Sequence, residues 1–141
     1  VNNLDVAKEY LQKGYSVCLC KEDDLVLSEG KGIAFIAFLA HQKRKFCDYS
    51  VADKIVGKAA ALVYTLIGVK EIYATVMTID AKDVLARAGI EATYGQLVNE
   101  IINRKGDGIC PMEEAVAEIS DAEVALDAIF QKMEKLKRGE D

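Results

Sequence analysis

The run from Glu71 to Ile79, EIYATVMTI, constrains the fold more than any other stretch. It is nearly continuously apolar, which suits a central strand covered on both faces. Helix signals stand on either side of it. Upstream, SVADKIVGKAAALVYTLIGV reads as a helix from Ala52 to Leu66, with Ser50 as N-cap and Asp53 as the carboxylate at N3. Downstream, Asp80 and Asp83 form a second capping box. It opens a short helix to Ala88, closed by Gly89. The following IEATYG reads as another short strand. Strand alternating with helix is the pattern of an α/β sandwich.

The remaining segments fit that frame. The 141 residues make one domain, 1–141. Leu4, Ala7 and Leu11 recur at helical spacing over residues 4–13, with Asn3 as cap and Gly14 as stop. YSVCLCK and LVLSE flank Glu22-Asp23-Asp24 and predict a β-hairpin. Ile33, Ile36, Ala37 and Ala40 share one helical face, which favours a short helix over a strand. Cys110-Pro111-Met112-Glu113 opens a helix to Ile119, with Pro at N1 and Glu at N3. Ser120 and Glu123 cap a last helix. Its stripe of Ala122, Leu126, Ile129, Met133 and Leu136 is expected to dock on the body of the protein, the alternative being a homodimer through this helix.

Composition excludes several functions. The 18 Lys and Arg against 23 Asp and Glu give a net charge of −5, which argues against broad nucleic-acid binding. The basic run 42–45 is short and reads as a solvated loop. A single histidine, His41, rules out any two-histidine metal site within one chain. Cys18, Cys20, Cys47 and Cys110 contain no CxxC pair, and Cys18 and Cys20 face the same side of one strand. No metal or other cofactor is expected. No signal peptide or membrane-length apolar run is visible, so a cytoplasmic protein is expected. The sequence opens on Val1 rather than Met, so processing or a missing residue is expected there.

Several residues are candidates for chemistry. Cys110 precedes a helix, where free N–H groups and the helix dipole favour thiolate; it is the candidate nucleophile or redox centre. Asn103, Arg104 and Gly106 belong to a glycine-interrupted basic loop leading into that helix, an arrangement suited to an anion. Asp53, Lys54, Gly57 and Lys58 form a second group. Lys54 and Lys58 need a route to water or an anion from an otherwise apolar helix, and Gly57 in mid-helix signals a close approach to the backbone. The bland explanations are a buried inert thiol, turn glycines and a capping aspartate.

Taken together, VADKIVGKAAAL, KEIYATVMTIDA, IEATYGQLV and NRKGDGICPMEEAV resemble the DUF1893 family over residues 4–129. The resemblance implies a three-layer, cytidine deaminase-like fold: a mixed central sheet with an N-terminal β-hairpin, flanking helices and a C-terminal helix. Activity does not follow from the fold. A zinc deaminase needs His or Cys with Glu at one helix start and Pro-Cys-x-x-Cys at the next. On that pattern Val51 stands for the ligand and Asp53 for the glutamate, the next helix opens Ile79-Asp80-Ala81 without cysteine, and Cys110-Pro111 comes one element late. The family pattern places Asp53, Lys54, Gly57, Lys58, Asn103, Arg104, Gly106, Cys110, Pro111 and Glu113 around a site. The expected function is a ligand-binding or regulatory module with a degenerate pocket for a nucleotide-like or phosphorylated ligand. The alternative is a metal-independent enzyme using Cys110, Asp53 and Lys54, with Gly57, Lys58, Asn103, Arg104, Gly106 and Glu113 holding the substrate.

Overall fold

The cap of the N-terminal helix α1 (Asn3–Gln12) lies one residue earlier than expected: the Asn2 side chain accepts from the Asp5 backbone N–H. Asn3 instead accepts from the Glu22 N–H and ties α1 to the hairpin. Gly14, at φ +110°, turns the chain away. The hairpin of β1 (Val17–Lys21) and β2 (Asp24–Ser28) follows, then α2 (Gly32–His41), both as expected. The computed structural model describes residues 2–139; Val1 lies outside the described residues.

Three βα units follow: β3 (Ser50–Val56) and α3 (Lys58–Ile67), β4 (Glu71–Thr78) and α4 (Ile79–Arg87), then β5 (Glu91–Val98) with the one-turn α5 (Pro111–Ala115). The chain ends in α6 (Ala122–Lys137). The five strands form one mixed sheet in the order β2-β1-β3-β4-β5. Strand β1 is antiparallel to β2 and β3, while β3, β4 and β5 are parallel.

Alternation along the strands separates two layers of packing. Val17, Leu19, Val51, Ile72 and Ala74 face α2, α3 and α4 in the main core. Cys18, Cys20 and Ala52 face α1 through Ala7. Strand β4 lies between two neighbours, as a central strand should, but the expected cover of both faces is incomplete: Thr75 is exposed because α1 lies mainly over β1 and β3. Buried Leu62, Val63, Tyr64 and Ile67 seat α3, at about 1.5–3 kcal/mol for each large side chain.

Residues 50–56 overturn the expected helix from Ala52, and with it the placing of Val51 and Asp53 at a helix start and of Ile79 at the next. They are a strand, with Asp53 paired to Val17 on one side and Ala74 on the other. Ser50 is no cap; its hydroxyl donates to Glu71 at 2.5 Å. β-Branched Val51, Ile55 and Val56 fit the pleat better than a helix. Gly57 then ends the strand and becomes the N-cap of α3. Lys54 and Lys58, expected on one helical face, therefore sit on different elements.

The other caps shift by one or two residues. Thr78, buried, accepts from the Ala81 N–H and starts α4 in place of Asp80. Asp121 accepts from Glu123 and Val124 and starts α6 in place of Ser120. In α6, Ala125 and Ile129 are buried, and Leu126, Phe130 and Met133 pack against the core. Among the described residues no helix is long and apolar enough to cross a membrane.

Candidate functional site

Strand β3 delivers the chain to the start of α3, where the first backbone N–H groups have no acceptor within their own helix. Gly57 has no side chain with which to cap them. Glu113 supplies the acceptor from α5: one carboxylate oxygen takes the Lys58 N–H and the other the Ala59 N–H, both at 2.8 Å. A carboxylate is well matched to the positive end of a helix. The backbone of Gly57 is ordinary, so its role is space. A Cβ there would collide with the Glu113 carboxylate and stand 2.6 Å from Ile101 Cδ1.

Further bonds hold the covering segment down. The Lys58 ammonium donates to the Ala117 carbonyl at 3.0 Å. Lys132 of α6 meets Glu114 of α5 at 3.5 Å. The Cys110 N–H donates to the Ile101 carbonyl, and Ile102 bridges Ile109. Between them, Asn103 closes the loop: its side-chain oxygen accepts from Gly106 and Asp107, and its amide donates to Asp107. Gly106, at φ +76°, supplies the left-handed turn. Arg104 is exposed on this loop. Cys110 is half-buried at the N-cap of α5, whose helix ends at Ala115 rather than the expected Ile119.

Asp53 occupies a different setting. It is 3 % exposed. Its carboxylate accepts the Tyr64 hydroxyl at 2.7 Å and the Ile55 N–H at 3.2 Å. The start of α2 packs against it, and a Cβ on Gly32 would stand 3.4 Å from its Oδ1. Asp53 makes no ion pair among the described residues. Burial without a cation pushes its carboxyl up to about 7, although the Tyr64 and backbone hydrogen bonds pull the other way. Burial and the neighbouring Asp53 carboxylate hold the Tyr64 phenol well above its ordinary range.

The structure thus joins Gly57, Lys58 and Glu113 directly. Asn103, Gly106 and Cys110 belong to the segment that covers them. Asp53 engages Tyr64, and Lys54 is exposed. Tyr64, Ile101 and Gly32 were not singled out by sequence. Gly57 was the one signal: its mid-segment position pointed to a close approach, which Glu113 and Ile101 make.

Other candidates find plain partners. Lys45 donates to the Leu66 carbonyl at the end of α3, and Arg44 lies over the Phe46 ring. His41 is exposed, its ring edge-on to Phe130. Burial pushes the Cys18 thiol up to about 12. No described set of three His, Cys, Asp or Glu residues is placed to hold a metal ion. An open groove of about 160 Å³ runs between α1 and the sheet, lined by Lys8, Leu11, Gln12, Tyr73 and Thr75.

The family model described as TM1506, domain of unknown function (DUF1893), matches residues 5–133. The chain belongs to the DUF1893 family. A solved DUF1893 family protein (TM1506) from Thermotoga maritima superposes with a TM-score of 0.83. It is 24 % identical, with 94 % of this chain and 91 % of that one covered, so it speaks for the DUF1893 fold alone. No curated protein matches.

Proposed function

We propose that this DUF1893 chain is a non-catalytic, ligand-binding regulatory module on a cytidine deaminase-like scaffold, its pocket occupied at rest by its own Glu113. The strand order β2-β1-β3-β4-β5 with an antiparallel hairpin supports the scaffold. In a zinc deaminase, successive helix starts carry His or Cys with Glu, and then Pro-Cys-x-x-Cys. Here the two helices that follow the hairpin open Gly32-Ile33-Ala34 and Lys58-Ala59-Ala60, with no such ligand. Asp53 lies against the first start and Glu113 caps the second.

The observation that carries this reading is the two-point seat of the Glu113 carboxylate on α3. A carboxylate on these two N–H groups supports a ligand with an anionic group, as in a nucleotide or sugar phosphate. The enclosed Asp53 favours binding over a reaction in which Asp53 and Cys110 share one substrate. Four free thiols fit a reducing, cytoplasmic setting.

Calorimetric titration of inorganic phosphate, nucleotides and sugar phosphates into the wild type and Glu113→Gln tests it. The expected result is binding without turnover, at least about tenfold tighter in the variant, a difference of about 1.4 kcal/mol. Turnover of any of these compounds, or equal affinity in the two proteins, contradicts the proposal.

A further inference from the structure

The groove between α1 and the sheet carries the observations furthest. It lies on the face of the sheet opposite α3 and Glu113, so the seat at α3 leaves it unused. Helix α1 lies mainly over β1 and β3. Its Lys8, Leu11 and Gln12 therefore form a wall, and Tyr73 and Thr75 of β4 form the floor.

Two features hold the Tyr73 ring in place. The Lys8 ammonium stands 4.4 Å from its centroid. Gly95 on β5 leaves room for its hydroxyl: a Cβ there would lie 3.1 Å from that oxygen and 2.9 Å from the Thr75 carbonyl. The polar groups around the ring are uncommitted. Lys45, Lys58 and Lys132 each meet a protein oxygen. Lys8 meets no carboxylate among the described residues. Nor do the Gln12 amide and the Thr75 hydroxyl bond to any protein group among them. No carboxylate lines the groove, and Glu71, two residues before Tyr73, is engaged by Ser50. Lys54, which the seat at α3 does not use, is exposed on β3 at the register position beside Thr75, since Asp53 pairs with Ala74 and Ile55 with Val76.

We propose that this groove is a second binding site, for a small molecule that carries a phosphate monoester next to a planar ring. Charge complementarity selects the anion: two lysines, an amide and a hydroxyl gather where no acidic side chain answers them. A compact ammonium with neutral donors beside it suits the several oxygens of a phosphate. Leu11 and Tyr73 offer the ring an apolar and an aromatic surface. The volume of about 160 Å³ corresponds to roughly five waters. That suits one phosphate and the near part of one ring, and the net charge of −5 speaks against a nucleic-acid strand.

An amide-resolved NMR titration with phenyl phosphate at low salt is the test, carried to about ten times a Kd on the order of 1 mM, the range of a shallow site. The amides of Lys8, Gln12, Tyr73 and Thr75 are expected to shift together, with one midpoint shared by the wild type and Glu113→Gln. Inorganic phosphate, which lacks the ring, and phenol, which lacks the charge, are each expected to bind at least about tenfold more weakly. Lys8→Met keeps an unbranched stem over Tyr73 and removes the charge. With circular dichroism unchanged, it is expected to weaken phenyl phosphate at least about tenfold, and Thr75→Val about threefold. Amides that stay still overturn the proposal, as does an affinity unchanged by Lys8→Met or by Thr75→Val. Phenol bound as tightly as phenyl phosphate overturns the assignment of an anion. Shifts confined to Lys58 and Ala59 uphold the seat at α3 and overturn this site.

Discussion

Asp53 shows what one buried carboxyl does to a fold that offers it no cation. Its folded pKa of about 7 lies above the ordinary 3.8, so between those values the folded state holds a proton that the unfolded state has lost. Stability therefore falls as pH rises from about 4 to about 7, by an order-of-magnitude ~4 kcal/mol. Asp53→Asn, which cannot ionise, is expected to flatten that slope in urea titrations across the same window. Asp53→Ala leaves the buried Tyr64 hydroxyl unsatisfied and is expected to cost about 1–3 kcal/mol at pH 5. Gly57 poses a steric question of the same size. Gly57→Ala puts a methyl into Glu113 and Ile101 and is expected to destabilise by about 1–3 kcal/mol. In a Glu113→Ala background the Glu113 share of that cost is expected to vanish and the Ile101 share to remain, a coupling that a double-mutant cycle in denaturant reads directly.

Helix starts decide much of the architecture, and they were the hardest feature to place from sequence. Thr78→Ala is expected to cost about 1–2 kcal/mol because it removes the buried cap of α4, whereas Asp80→Ala is expected to change stability by less than about 0.5 kcal/mol. Comparing their thermal midpoints separates the two assignments. At both α4 and α6 a capping residue stands beside another polar residue of the right type, and spacing alone cannot choose between them. The segment 50–56 failed for a related reason. Ser50 and Asp53 imitate a capping box, and the small apolar residues on both sides of Gly57 run together into one apparent helix. Val51, Ile55, Val56 and Gly57 carried the opposite signal, β-branching followed by a breaker. The hairpin, α1, α2, β4 and β5 were legible because period and turn residues agreed there. The seat of Glu113 was not legible, since its contact joins Lys58 to a residue 55 positions away with no local pattern. Only Gly57 announced that something came close.

At the scale of the molecule, strand β3 and the segment from β5 back to α3 meet at one place: the start of α3 is sealed by a carboxylate of the same chain. The seal rests on Glu113, on Ile101 over Gly57 and on the Lys58–Ala117 bond. The measurement that tests it most directly is an amide-resolved NMR titration of a nucleoside monophosphate into the wild type and Glu113→Gln. The amides of Lys58 and Ala59 are predicted to shift in both proteins, at lower ligand concentration in the variant, with the nucleotide recovered unchanged. Conversion of the nucleotide, or amides of Lys58 and Ala59 that stay still through the titration of both proteins, would contradict the account.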